Sequence, residues 1–517
     1  MRFVNCVNIL LFTSAIFTDL AVCNETQQAS SFQPRPNILV ILADDMGFSD
    51  LGSFGGEINT PNLDSLAENG VRFSNFYAAS VCSPTRSMLL SGTDHHLTGL
   101  GSMAESKIEI HKNKQGYEGY LNTRVTSVAA LLKDTGYRTY MTGKWHLGLD
   151  ANQGPSARGF DKSFALLQGA ANHFDNTGVL PGDKYPIYAK TMYRENGGLS
   201  SIPEDFYSSD FYTERMIKYL KEDEDSKKPF FSYLAFTAPH WPLQAHDDDI
   251  AKYKGKYDAG YSELLKTRTE SVKKLGFIDR ETAPSRFSSD VEEWSTLSSK
   301  QKAIESRKME IYAAMIDNMD RNVGKLINYL KQTKQFENTF ILFMSDNGAE
   351  GWPMDSSPII DQWIKSNFDQ SYENMGRANS YVYYGPGWAQ AGATPFRMYK
   401  AYASEGGIRV PTIISWPGRV IPGSVSDIPI TTCDVYPTLL NVAGLESNPK
   451  QHLDGVDLSP IFKGLKLQDR SLFWHFPHYH GSLWKPGSAI RSGDWKLVFH
   501  YESNSSELFN LKEDPEE

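Results

Sequence analysis

Cysteine is scarce in this sequence: four residues in 517, at positions 6, 23, 82 and 433. So few thiols exclude a disulfide-framework protein and make any single cysteine conspicuous. An excess of positive charge is absent as well. The formal net charge of -10 argues against a nucleic-acid partner, so an anion site would have to be assembled locally from Arg, Lys, His or metal. Beyond the N-terminus no apolar run is long enough to span a bilayer, so no stable membrane insertion is expected. Internal repeats are missing too; the length alone suggests about three domains, though a large α/β chain often keeps one.

The one apolar run, residues 7–17 behind Met1-Arg2, leads to the small residues Ala21-Val22-Cys23. This is the layout of a secretory signal peptide over residues 1–23. Leu20-Ala21-Val22-Cys23 also approaches a bacterial lipobox, with Val22 bulky for that pattern. Residues 24–35 are polar and read as a disordered leader. The expected product is secreted, periplasmic in a bacterial host; in a eukaryotic one, Asn24-Glu25-Thr26 and Asn504-Ser505-Ser506 are glycosylation sequons. Removing the leader leaves Cys82 and Cys433, which could pair with each other.

Cys82 stands in Ser80-Val81-Cys82-Ser83-Pro84-Thr85-Arg86-Ser87, ahead of an apolar helical start. Pro84 suits the first helical position and Ser83 the N-cap, which puts Cys82 just before a helix N-terminus. Unpaired N–H groups there favour an anion, and Arg86 one turn on can reach back with a forked donor. The plain alternative is a small buried side chain before an ordinary helix.

The rest of the chain reads as strands alternating with helices. Residues 37–43 form a continuous apolar run, the mark of a parallel strand buried on both faces, and end in Asp44-Asp45. Residues 338–344 repeat the pattern and end in Ser345-Asp346-Asn347-Gly348. Ligands collect at such strand ends in α/β sheets. Three carboxylates (Asp44, Asp45, Asp346) and the Asn347 amide make an oxygen set suited to Ca²⁺ rather than Zn²⁺. Further strands end in Lys144-Trp145-His146, where an extended chain would point Lys144 and His146 to one side, and in Ala238-Pro239-His240-Trp241-Pro242, where prolines restrict the backbone around His240. Residues 71–77 alternate as a strand, and 299–330 form an amphipathic helix. Residues 243–300 read as peripheral, with Asp247-Asp248-Asp249 a solvated turn. The aromatic stretch 349–399 is expected to rim a pocket, and the aromatic segment 379–402 to contact an aromatic or sugar ring. Gly406-Gly407 allow positive φ or close approach. After Gly464 short strands dominate, at 471–476, 489–491, 495–501 and 507–511, as in a small antiparallel sheet.

Six blocks now stand in order: Ala43-Asp44-Asp45, Cys82-Ser83-Pro84-Thr85-Arg86, Gly143-Lys144-Trp145-His146-Leu147-Gly148, Ala238-Pro239-His240, Ser345-Asp346-Asn347-Gly348 and Glu405-Gly406-Gly407. In this the chain from about residue 37 onward resembles the type I sulfatases, most closely the bacterial Pseudomonas-type arylsulfatase. The resemblance implies an alkaline-phosphatase-like α/β fold, a large mixed β-sheet sandwiched by helices with a small C-terminal antiparallel sheet. It implies a catalytic domain over residues 36–465 and a C-terminal subdomain over 466–517, which stops where family members continue into a terminal helix. It further implies that a formylglycine-generating enzyme oxidises Cys82 to formylglycine, and that one Ca²⁺ is held by Asp44, Asp45, Asp346, Asn347 and residue 82. Arg86 and Lys144 would hold the formylglycine, and His146 would act as base for expelling sulfate. His240 and Lys400 would contact the sulfate and protonate the leaving alcohol, and Asp346 could take the proton of the attacking hydroxyl. The implied function is hydrolysis of small sulfate esters. The alternatives are a phosphate ester hydrolase of the same superfamily and a non-catalytic binder of sulfated ligands.

Overall fold

A computed structural model describes residues 35–446 and 451–517; the expected signal peptide, the leader up to Pro34 and the sequon at Asn24 lie outside the described residues. Strand β1 (Asn37–Ala43) is buried along its whole length. Leu39 and Ile41 face one apolar cluster, and Ile38, Val40 and Leu42 face another on the opposite side. A strand whose alternate residues are all apolar has to be covered twice, so β1 specifies helices on both faces of its sheet.

In chain order the strands that follow are β2 (Val71–Phe73), β3 (Phe76–Tyr77), β4 (Arg138–Lys144), β5 (Lys162–Leu166), β6 (Tyr193–Glu195), β7 (Gly198–Ser200) and β8 (Phe230–Ala235). Next come β9 (Thr339–Ser345), β10 (Thr412–Ser415), β11 (Ser424–Ser426) and β12 (Ile430–Thr431). Ten of them form one mixed sheet in the order β11-β2-β10-β9-β1-β8-β4-β5-β6-β7, with β9, β1, β8, β4 and β5 parallel at its centre. The helices are α1 (Pro61–Glu68), α2 (Cys82–Ser91), α3 (Val128–Asp134), α4 (Ser208–Glu222), α5 (Asp247–Ala251), α6 (Tyr261–Lys274), α7 (Ser299–Gln332), α8 (Pro358–Asn367), α9 (Pro386–Ala393), α10 (Glu405–Ile408) and α11 (Val435–Val442). Met216 of α4 and Met315, Met319 and Val323 of α7 cover one face; Leu89 of α2, Leu132 of α3 and Leu439 of α11 cover the other. The helix start at α7 is fixed by a capping box between Ser298 and Gln301.

The C-terminal sheet is an antiparallel meander of β13 (Ser471–Phe476), β14 (Gly487–Ser492), β15 (Trp495–His500) and β16 (Ser505–Asn510). Its inner residues Leu472, Trp474, Phe476, Ala489 and Val498 pack on Tyr77, Val81, Ala403 and Ile408. A large mixed sheet between helices and a small antiparallel sheet are therefore both present, as expected.

Several local expectations are corrected. The helix of the cysteine begins two residues earlier: Val81 is the cap, Cys82 the first residue, and Pro84 the third. Cys82 and Cys433 are both free, Cys433 packing against Ala79 and Met88. The strand at 71–77 is broken into β2 and β3, which belong to different sheets. Residues 243–300 are not all peripheral, because Arg268 of α6 is buried and pairs with Asp50 at 2.5 Å and Glu57 at 2.8 Å. Asp247-Asp248-Asp249 form the first turn of α5, with Asp249 buried against Arg321 at 2.7 Å. Gly406 and Gly407 serve close approach alone: a Cβ on either would lie 2.2 Å from the carbonyl oxygen of Met398 or Tyr402.

Candidate active site

The parallel pairing of β1 with β9 runs in register to Ala43 opposite Ser345, so Asp44-Asp45 and Asp346-Asn347 leave the sheet side by side. The neighbouring strands β8 and β4 add His240 and Lys144 from the same edge. Asp45 turns out of its strand at φ 66, a conformation that aspartate tolerates better than most residues. Asp44, Asp45, Asp346 and Asn347 are all buried.

Each carboxylate is met by a cation. Lys144 Nζ donates to both oxygens of Asp44 at 2.7 Å. Arg86 donates from Nε and Nη2 to Asp346 Oδ2 at 2.9 and 2.7 Å, and from Nη1 to the Lys144 carbonyl at 2.9 Å. Lys400 Nζ sits 2.9 Å from Asp45 and 3.1 Å from Glu350. Cys82 Sγ lies above this floor, 3.6 Å from Asp44 Oδ1 and 3.7 Å from Asp45 Oδ1.

With every group ionised the balance is negative. Four buried carboxylates (Asp44, Asp45, Asp346, Glu350) face three fixed cations (Arg86, Lys144, Lys400). Burial pushes the Asp44 carboxyl up to about 8 and Asp45 up to about 6. Burial also opposes charge on Asp346, but Arg86, Lys144 and Lys400 outweigh it and hold that carboxyl below the usual range. The Asn347 amide donates to Asp45 Oδ1 at 2.6 Å while its own buried Oδ1 has no hydrogen-bond partner. A surplus of carboxylate and an idle amide oxygen are what a hard divalent cation would satisfy. One donor atom each from Asp44, Asp45, Cys82 and His240 also lies within 4.8 Å of the others.

Histidines flank the floor. His240 Nδ1 donates to the Trp241 carbonyl at 2.7 Å, which turns Nε2 toward Lys400 at 3.5 Å and Asp45 at 3.3 Å. Burial, then Lys400 and Lys144, hold its pKa well below the ordinary imidazole value. Both prolines around this pair follow cis peptide bonds. His146 is not on an extended segment: the chain turns there at φ 57, and the ring reaches Glu105, with Nε2 3.1 Å from Oε1. Lys144 and His146 still border one site, the lysine below the cysteine and the histidine in the wall beside it.

The wall encloses a cavity of about 300 Å³ over Cys82, lined by His146, His240, Lys400, Glu105 and Glu350, and by Ile108, Leu180, Tyr185, Tyr188, Trp241, Trp352 and Tyr479. Of the aromatic residues in the stretch 349–399, Trp352 alone borders it, while Tyr381, Tyr384 and Trp388 are core. Nor does the aromatic segment 379–402 supply the ring contact expected of it: its one lining residue is Lys400. Glu105, Glu350 and Tyr188 escape a reading of the sequence. Glu105 accepts from Tyr188 at 2.8 Å and Glu350 from Ser482 at 2.7 Å, contacts across 83 and 132 residues. Glu350 had a signal, lying two residues beyond the Asp346-Asn347-Gly348 block; Glu105 had none. Burial and Asp346 push the Cys82 thiol well above its ordinary value, so an unmodified Cys82 is a protonated, unreactive thiol.

A family model described as Sulfatase matches residues 36–445, and one described as N-sulphoglucosamine sulphohydrolase, C-terminal, matches residues 396–517. An uncharacterized sulfatase of Schizosaccharomyces pombe is 42% identical over 497 residues, covering 93% of this chain and 89% of its own. An arylsulfatase of Klebsiella aerogenes is 41% identical over 439 residues, covering 83% and 92%. Among solved structures, Ps i-CgsB in complex with k-i-k-neocarrahexaose superposes with a TM-score of 0.67 at 26% identity, over 93% of this chain and 88% of that one.

Proposed function

The chain belongs to the sulfatase family, with the alkaline-phosphatase-like fold, and from that premise we propose that it hydrolyses sulfate monoesters of small aryl or alkyl alcohols with Cys82 matured to formylglycine. The observation that carries the reading is Cys82 at the foot of an aromatic-lined cavity, over three carboxylates and between two lysines and two histidines. Asp44, Asp45, Asp346 and Asn347 would hold one Ca²⁺, which would offset the sulfate charge as a Lewis acid. When hydrated, a formylglycine at position 82 supplies one oxygen to attack sulfur and a second whose deprotonation expels sulfate.

The chain's own groups set the protons. Arg86 and Lys144 fix the carboxylates beneath residue 82, which keeps its oxygens aimed into the cavity. Lys400 and His240 stand together at the floor, placed to bind a sulfate oxygen and to give the departing alcohol its proton. His146, held neutral by burial and oriented by Glu105, is placed as the base for the second hydroxyl. Donors fixed in a buried site stabilise charge as it moves to the leaving oxygen.

The reading includes a domain over 36–465 and a subdomain over 466–517, secretion directed by residues 1–23, and a formylglycine-generating enzyme as maturation partner. Among the described residues no helix is long and apolar enough to cross a membrane. The first test is the mass of the tryptic peptide of residues 73–86 from the native host. Conversion replaces sulfur and two hydrogens by one oxygen, so the peptide becomes lighter. A thiol that persists after co-expression with a formylglycine-generating enzyme would overturn the nucleophile. Cys82→Ala should abolish turnover of an aryl sulfate with the fold intact, and a higher kcat/KM on the matching aryl phosphate would reassign the substrate.

A further inference from the structure

A second cluster of titratable groups lies outside the cavity, where the loop after α2 meets β13. It contains Asp94, His95 and His96 from the loop and His475 from the strand. His96 Nε2 and His475 Nδ1 face each other at 3.0 Å, and the ring centroids of His95, His96 and His475 follow in series at 4.2 and 4.9 Å. One donor atom each from Asp94, His95 and His96 lies within 4.8 Å of the other two.

The protons are arranged for coordination. His95 Nδ1 lies 2.8 Å from the Leu100 carbonyl, an acceptor only, so Nδ1 carries the proton and Nε2 keeps its lone pair. His96 Nδ1 lies 3.0 Å from Asp94 Oδ1, which also accepts from the His96 backbone N–H at 2.9 Å, and this again leaves Nε2 as the free base. Metal-binding histidines are characteristically held through the other ring nitrogen by a carbonyl or carboxylate. Two nitrogens at a tetrahedral zinc ion are about 3.4 Å apart, which the exposed His475 can reach by a small rotation.

We propose that His95, His96 and His475 form a second metal site that takes a divalent transition metal of the zinc class and staples the C-terminal sheet to the loop after α2, with Asp94 holding His96 in place from the far side of its ring. It is independent of the sulfatase reaction. Binding moves the proton of His475 Nδ1 to its outer nitrogen or to water, and the Asp454 carboxylate, which accepts the Asp94 N–H at 2.7 Å, adds to the negative field.

The test is equilibrium dialysis of the full-length protein against zinc with calcium at saturation, followed by elemental analysis, for wild type, His475→Gln and His96→Gln. Zinc that enters the cavity site is common to all three and cancels. Wild type should hold one equivalent more than either variant, and zinc should raise its Tm while leaving theirs unchanged. Equal zinc content in wild type and His475→Gln, or an equal zinc-dependent Tm shift, overturns the site and leaves an imidazole–imidazole hydrogen bond. His475 is exposed, so this variant is expected to fold; a Co²⁺ titration of wild type with and without competing zinc gives a second readout, in which absence of a zinc-displaceable visible band also overturns the proposal.

Discussion

Glu105 is the residue that most changes the account of the site, because it controls a histidine without touching the substrate floor. Burial opposes its charge, but His146 and Tyr188 outweigh this and hold the carboxyl at about 2, so it stays ionised at any working pH. Its negative charge in turn raises the pKa of His146 against the lowering by burial. Glu105→Gln should therefore cost roughly tenfold to a hundredfold in kcat, as loss of an orienting partner does elsewhere. It should also move the acid limb of the kcat/KM profile to lower pH, because the base then stays neutral further down. An unmoved limb would reject His146 as the base. The linkage has a sign as well: a folded pKa below the unfolded one gives stability that is present above about 4.5 and lost as pH falls toward 2. The variant should accordingly lose less stability than wild type over that interval in acid unfolding followed by circular dichroism. Calcium is tested at the same scale. If the oxygen set holds calcium as proposed, Asp346→Ala should lower the calcium content found by elemental analysis, and undiminished calcium would reject the set. Asp44, Asp45, Lys144, Asp346 and Asn347 were legible because each sits in a short block at a strand end, and Cys82 and Arg86 because they share one at a helix start. Glu105 was not, because only the closure of a loop brings it to His146.

At the scale of elements the site depends on strands ending together. Gly143, next to last in β4, stands opposite Ala235 in β8 at φ 106, and a Cβ there would lie 1.8 Å from the Ala235 carbonyl oxygen. Only glycine lets the two strands keep their spacing while Lys144 is delivered to Asp44. Gly143→Ala should destabilise by about 3 kcal/mol in urea unfolding and lower kcat with it, since strand shift and positive φ act together. Wild-type Tm and kcat in that variant would remove Gly143 from the argument. Strands were read well wherever an apolar run was buried on both faces, as in β1 and β9. Reading failed where tertiary contacts override local preference. The alternation at 71–77 gave one strand, yet Asn75 lies between β2 and β3 and its N–H-bearing side chain is taken by the Asp427 carbonyl. Pro84 looked like the first residue of α2, yet the helix reaches back to Cys82, which sets the cysteine at the start of the helix rather than ahead of it.

For the whole molecule the question is whether the C-terminal sheet is a separate domain or a wall of the first. Trp474 donates from its indole to the Ala78 carbonyl at 2.9 Å, just upstream of Cys82. Lys496 of β15 is fully buried against Glu405 of α10 at 2.9 Å, and Tyr77 donates to the same carboxylate at 2.6 Å. The loop between β13 and β14 brings Tyr479, His480 and Gly481 to the cavity, and Ser482 fixes Glu350, the partner of Lys400. Cutting the chain at 465 would expose Tyr77, Val81 and Ile408, and would leave Glu405 to Arg409, 3.2 Å away, as its cation. Truncation of a buried ion pair costs about 3–5 kcal/mol by itself, a large share of a typical domain's stability. We therefore expect residues 36–465 alone to be insoluble or to lack a cooperative thermal transition, and co-expressed residues 466–517 not to restore turnover fully. The measurement is calorimetry and aryl sulfate turnover of the truncated chain beside the full one. A truncated chain that melts cooperatively near the wild-type temperature would make the sheet an appendage. One that melts so and also keeps kcat would remove Ser482 and His480 from the site as well.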